Sequence, residues 1–221
     1  MSQWDRWAAA TGFVFVALFV AGFFVTTKPP SLSAGNTKWV EFFHDHSKEV
    51  KASSILFGLA IVAFLWFAAA LATRLREAGE QRLGATVLGG AAATAGTFLV
   101  AAGVQAALAY RIAPESPAQV KPFVDVFYTI GILVGFAVGV VIGATAVAAL
   151  RSGVFPRWFG FVSAVVAVAV IISGGALVHD GFYAPDGGYA LIATAASLVW
   201  ALVTSVLLMR KTVQKETAAA G

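Results

Sequence analysis

Side chains able to bind a metal or move a proton are scarce in this chain, and the densest group of them falls in one short stretch, WVEFFHDHSKEV, from Trp39 to Val50. It carries His44 and His46 around Asp45, with Glu41 and Glu49 close by. Imidazole and carboxylate together are ligands for zinc and similar divalent ions, and they are also the partners of acid–base catalysis. Helical phase limits what this stretch can do alone. No Gly or Pro interrupts 37–57, and Asn36 or Thr37 offers an N-cap, so the sequence predicts one helix running into the apolar segment that follows. At about 100° per residue, Trp39, Phe42, Phe43 and Val50 form an apolar stripe that includes His46, whereas His44 lies about 160° away with Glu41 and Lys48. Ligands on one helix need i, i+3 or i, i+4 spacing, so His44 and His46 cannot share an ion. His46 and Glu49 do share an edge. If this helix folds over the end of the molecule, His46 and Glu49 could meet His179 and Asp180 there as a metal set. The plainer alternative makes His46 a filler on an interfacial stripe and His44 a solvated surface residue.

Two further signals stand out. Gln105, Asp125, His179 and Asp180 all fall near the ends of apolar runs on one side of the molecule, where they would line a mouth. A carboxylate and a histidine at such a mouth can bind a cation, sense pH or act as acid and base; a polar interface with water and lipid headgroups is the simpler reading. Gly131, Gly135, Gly139 and Gly143 recur every fourth residue, which cuts a groove along one helix face and lets a neighbouring backbone approach. Packing within the chain is the expected use, with self-association or a pore-lining face as alternatives. Gly89, Gly90, Gly96 and Gly103 lie in the preceding apolar run, so the two runs are expected to form a tight core together.

The elements that must position these residues are read from hydropathy. The chain of 221 residues is 59% apolar and 12% charged, with mean hydropathy +0.84, more than a soluble domain carries. Apolar runs occupy 7–25, 52–73, 83–110, 123–150, 155–178 and 189–209, each long enough to cross a hydrocarbon core. Backbone groups in lipid must bond internally, so these runs should be helices. The expectation is an all-α polytopic membrane protein: one six-helix domain over 1–221, a short extracytoplasmic amphipathic helix over 36–51 before the second span, and a frayed tail over 210–221. The first run exceeds the apolar core of a signal peptide and reads as a retained helix. Arg6, Arg74, Arg76, Arg82, Arg151, Arg157, Arg210, Lys211 and Lys215 fall on one side, against six basic residues on the other. Both termini are therefore predicted cytoplasmic, with Trp4, Trp7 and Trp158 in the interfacial belt of that side. The short connections RLREAGEQR and RSGVFPR predict antiparallel hairpins, with Pro156 in the first turn of the fifth span.

Several function classes are excluded or disfavoured. The chain has no cysteine, which removes disulfides, thiolate metal sites and cysteine nucleophiles. No ionisable residue lies near a span centre, which argues against a transmembrane haem, a retinal Schiff base and a carrier with a midplane carboxylate. No cofactor is expected, and the dispersed Lys and Arg give no nucleic-acid partner. Hydroxyls within the spans, Thr94, Ser163, Ser173, Thr194 and Ser197 among them, are expected to bond neighbouring helices or the carbonyl four residues back.

The segments ATGFVFVALFVAGF in the first span, VEFFHDHSKEV leading into FLWFAAALATRLREA, and SGVFPRWFGFVSAVVA entering the fifth span resemble a group of uncharacterised six-span membrane proteins of actinobacteria. That resemblance covers most of the chain in order and span count. It implies the architecture and a bacterial inner membrane, and no reaction. The residues themselves favour a non-enzymatic protein of the lipid bilayer, one that packs with a membrane partner or another copy of itself, or binds a small lipophilic ligand. The alternatives are a small channel or transporter with its mouth near Asp125, His179 and Asp180, and a metal-dependent hydrolase at the outer leaflet.

Overall fold

Apolar residues at helical spacing shape every long element. In the computed structural model, which describes residues 3–175, 177 and 181–219 and side chains over 7–175, 177 and 181–210, the long helices are α1 (Gln3–Val25), α3 (Ser47–Glu77), α4 (Gln81–Ala107), α6 (Val120–Ser152), α7 (Arg157–Gly174) and α8 (Gly188–Ala219). All six are long and apolar enough to cross a membrane, and the described residues form no strand. Each helix is apolar all round, as lipid requires. On α3, for example, Ile55, Leu59, Val62 and Trp66 are exposed at helical spacing, while Phe64, Phe67, Ala68 and Leu71 are buried.

Packing follows chain order. α1 packs on α3, α3 on α4, α4 on α6, α6 on α7 and α7 on α8, and α8 returns to α1, which closes a ring of six helices. At the end that carries the chain termini, the ring is filled by fully buried Phe67, Leu71, Leu75, Phe155 and Phe159. Gly79 (φ 87) and Gly153 (φ 64) adopt the left-handed backbone that ends α3 and α6 there, a conformation glycine takes without a Cβ penalty. Glu80, just before α4, reaches Arg151 at the end of α6 at 3.6 Å and ties the two hairpins together. The opposite end carries a cap. It consists of α2 (Asn36–Asp45), a π-turn over Leu108–Ile112, the single turn α5 (Ala113–Glu115), a 3-10 turn over Pro117–Gln119 and the start of α6. Trp39, Phe43, Val50, Leu108, Val120 and Val124 form the buried centre of the cap.

The structure corrects the sequence reading at three helix ends. The helix expected over 37–57 breaks at His46 (φ −113, ψ 24), so α2 and α3 are separate. The break lets Trp39 and Phe43 turn under the cap, where they are 2% and 4% exposed, while α3 keeps its membrane-crossing direction. Burying two large aromatic side chains is worth about 3–6 kcal/mol together, well above the ~1 kcal/mol of an interrupted helical hydrogen bond. The N-cap position of α2 belongs to Gly35, not to Asn36 or Thr37. Asn36 serves α6 instead: its Oδ1 accepts the Lys121 N–H at 2.9 Å and its Nδ2 donates to Pro117 O at 3.0 Å. Pro156 stands at the N-cap of α7 rather than in its first turn. The tail continues α8 as helix to Ala219, a stretch without Gly or Pro.

The expected packing of α4 on α6 is present, but the glycine stripe of α6 itself packs on α7, the next span. A Cβ on Gly135 would meet Val170 O at 2.8 Å and Gly174 N at 3.0 Å, and one on Gly139 would meet Ile171 Cγ1 at 2.3 Å. Gly143 meets Ala167 at ordinary contact distance, and Gly131 has nothing within 4 Å. α4 also packs on α6, but among its glycines only Gly90 is tight there, against Val140 and Val141; Gly89, Gly96 and Gly103 face open space.

Candidate functional site

The polar residues singled out by sequence end up in different surroundings. Asp125 is half exposed and paired with Lys121 one turn earlier, so its charge is answered at the surface. His44 is exposed beside Asp45, at 3.1 Å. His46 packs against Phe42 with ring centroids 5.2 Å apart, and its Nδ1 lies 3.4 Å from the Thr27 hydroxyl. Glu49 opens the first turn of α3, half-buried. No hydrogen bond or ion pair joins His46 to Glu49 or Gln105 to Asp125, and no three His, Asp or Glu among the described residues are grouped as metal ligands. His179 and Asp180 lie outside the described residues. Gln105 keeps its interest: its Oε1 is buried without a hydrogen-bond partner, as is Nε1 of Trp39 in the cap.

A cavity of ligand size is a feature the sequence did not point to. Between the cap and the packed terminal half, the ring surrounds a partly open cavity of about 300 Å³ to which all six long helices contribute, with Gly131 and Thr194 on its exposed side. Its floor is Trp200, which stacks on Phe159 at 6.3 Å and meets Phe67 edge-on at 6.3 Å. Trp200 is fixed in place because its Nε1 donates to Ser163 Oγ at 2.9 Å, bridging α8 and α7. One wall is aromatic: Phe15 and Phe19 of α1, Phe64 of α3 and Phe98 of α4 form a linked set with centroids 5.3–5.9 Å apart. The facing wall, on α7 and α8, carries Ser173, Thr194 and Ser197.

The hydroxyls of the cavity fall into two kinds. Thr94 and Ser197 donate to the carbonyls of Gly90 and Ala193, four residues back, as expected of hydroxyls in lipid-embedded helices. Ser173 and Thr194 make no hydrogen bond among the described residues, so their O–H groups are free donors on the cavity wall. None of the lining residues is charged. At the cap end, Pro185 closes part of the roof, and its neighbour Asp186 is pinned by accepting the Leu32 N–H at 2.8 Å, which joins the two loops over the cavity. Tyr128 links cavity and cap: it lines the former and meets Trp39 edge-on at 6.2 Å in the latter.

Sequence reasoning expected Ser173 and Thr194 to bond a neighbouring helix or the carbonyl four residues back, as Ser197 does, and neither does so among the described residues; nothing local separates the three, and only the three-dimensional ring shows which hydroxyl lacks an acceptor. Gly131 was read as a packing residue, yet it borders the cavity with no atom within 4 Å of where a Cβ would sit. Comparison with protein families, with curated proteins and with solved structures finds no match to this chain.

Proposed function

We propose that this is a non-enzymatic protein of a bacterial inner membrane that binds a small lipophilic ligand in the cavity of its helical ring. The carrying observation is an uncharged cavity of about 300 Å³ walled by aromatic and small side chains from all six spans. That is the lower end of the size range of small-molecule sites, and a mostly apolar lining with a few convergent polar groups is their usual composition. The excess of basic residues beside the termini supports a cytoplasmic location for both ends, which puts the cap and the roof of the cavity on the outer side. The resemblance to actinobacterial six-span proteins supports the same membrane. The exposed apolar belts meet lipid, and a membrane partner or a second copy has room to pack there. Native mass spectrometry of the protein released from mild detergent tests the reading. A non-covalent adduct is expected on the wild type and should be lost in Gly131→Leu, whose side chain fills the cavity. Bare protein in both, with the same thermal stability, would remove the basis for a ligand site.

A further inference from the structure

The lining of the cavity restricts the chemistry of what it holds. Resting on the proposed binding role, we infer that the ligand is a neutral, planar ring compound with carbonyl acceptors on its edge, of the quinone class. Four observations converge on it. No lining residue is charged, so a carboxylate or phosphate head would be buried without a counter-charge, at a cost no hydroxyl offsets. The linked phenyl rings of Phe15, Phe19, Phe64 and Phe98 present faces and edges that favour a flat π-system over a flexible chain. The hydroxyls shown to be unspent on the opposite wall, those of Ser173 and Thr194, can each donate an O–H to a carbonyl, and with no charge beside them they suit a neutral partner. The Trp200–Ser163 and Tyr189–Ala169 hydrogen bonds join α7 to the antiparallel α8 with Ser173 nearer the cap than Thr194, so the two hydroxyls sit at different depths of the wall. The volume fits one or two fused rings, and any tail would have to leave the cavity.

Titration calorimetry on the purified protein in detergent tests this with three probes: menadione, a naphthoquinone without a tail; 1-decanol, neutral and linear; and decanoate, linear and anionic. Menadione is expected to bind most tightly, at one site per chain, and the double variant Ser173→Ala with Thr194→Val to weaken it at least about fivefold, the loss of two modest hydrogen bonds. Neither hydroxyl bonds the protein, so the variant should keep the wild-type melting temperature, which is measured alongside. Tighter binding of 1-decanol or decanoate, or menadione binding that the double variant leaves unchanged, overturns the quinone assignment while the cavity remains a ligand site. If none of the three binds, both the assignment and the binding role fall.

Discussion

Asn36 shows how one side chain can organise the cap. Its two hydrogen bonds, from Lys121 N–H and to Pro117 O, span α2, the 3-10 turn and the first turn of α6. Asn36→Ala removes both and leaves a helix-start N–H without its acceptor, so a loss of about 1–2 kcal/mol is expected. Asn36→Asp keeps the acceptor and loses the donor, and its melting temperature should fall between alanine and wild type. Gln105 presents the opposite case, since its buried Oε1 has no partner. Gln105→Met keeps the length and removes the orphan, so the melting temperature should hold or rise; a fall equivalent to more than about 1 kcal/mol would mean that the amide has a partner after all. At this scale the sequence was partly legible. The apolar phase of Trp39, Phe43 and Val50 is read directly from spacing. The break at His46 is not, because the residues around it have no helix-breaking chemistry and the burial of the cap decides it.

Between helices, the glycine stripe of α6 makes a graded prediction. Gly135→Ala drives a methyl into the backbone of α7, at Val170 O and Gly174 N, neither of which can step aside. Gly139→Ala meets only the side chain of Ile171, which can change rotamer at some cost. Gly143→Ala and Gly131→Ala meet ordinary contact or open space, and there alanine adds helix propensity worth up to about 1 kcal/mol. Thermal melts in one detergent should therefore rank Gly135→Ala as the most damaging, by about 1–3 kcal/mol, Gly139→Ala next, and the other two as neutral or stabilising. Equal losses at all four would mean that the stripe packs as a unit against something beyond α7. Spacing by fours makes the existence of this face legible in sequence. It says nothing of the partner, because a glycine groove fits any helix that offers small residues, and α7 offers Ala167 and Gly174.

The number of spans can be read from hydropathy alone, but the ring cannot: its closure rests on α1 against α8, the first and last helices, and no local pattern encodes a contact over that separation. The closure also bears on conduction. A channel needs a continuous polar path, whereas here the cavity ends on Trp200, and below it Phe67, Leu71, Leu75, Phe155 and Phe159 fill the ring with hydrocarbon. Glycine on α6 does not line a through-route, since Gly135 and Gly139 are closed against α7. Proteoliposomes should accordingly show no ion flux above empty vesicles, and Asp125→Ala, at a surface ion pair, should change nothing. Trp200→Ala is the sharper test. It removes the floor, leaves Ser163 without the indole donor and enlarges the cavity, so a loss of about 3–5 kcal/mol is expected. Even so the vesicles should stay tight, because the core under Trp200 is several side-chain layers deep. Conduction appearing in Trp200→Ala would mean that a single indole is all that separates the cavity from the far side, and the ring would have to be regarded as a gated pore.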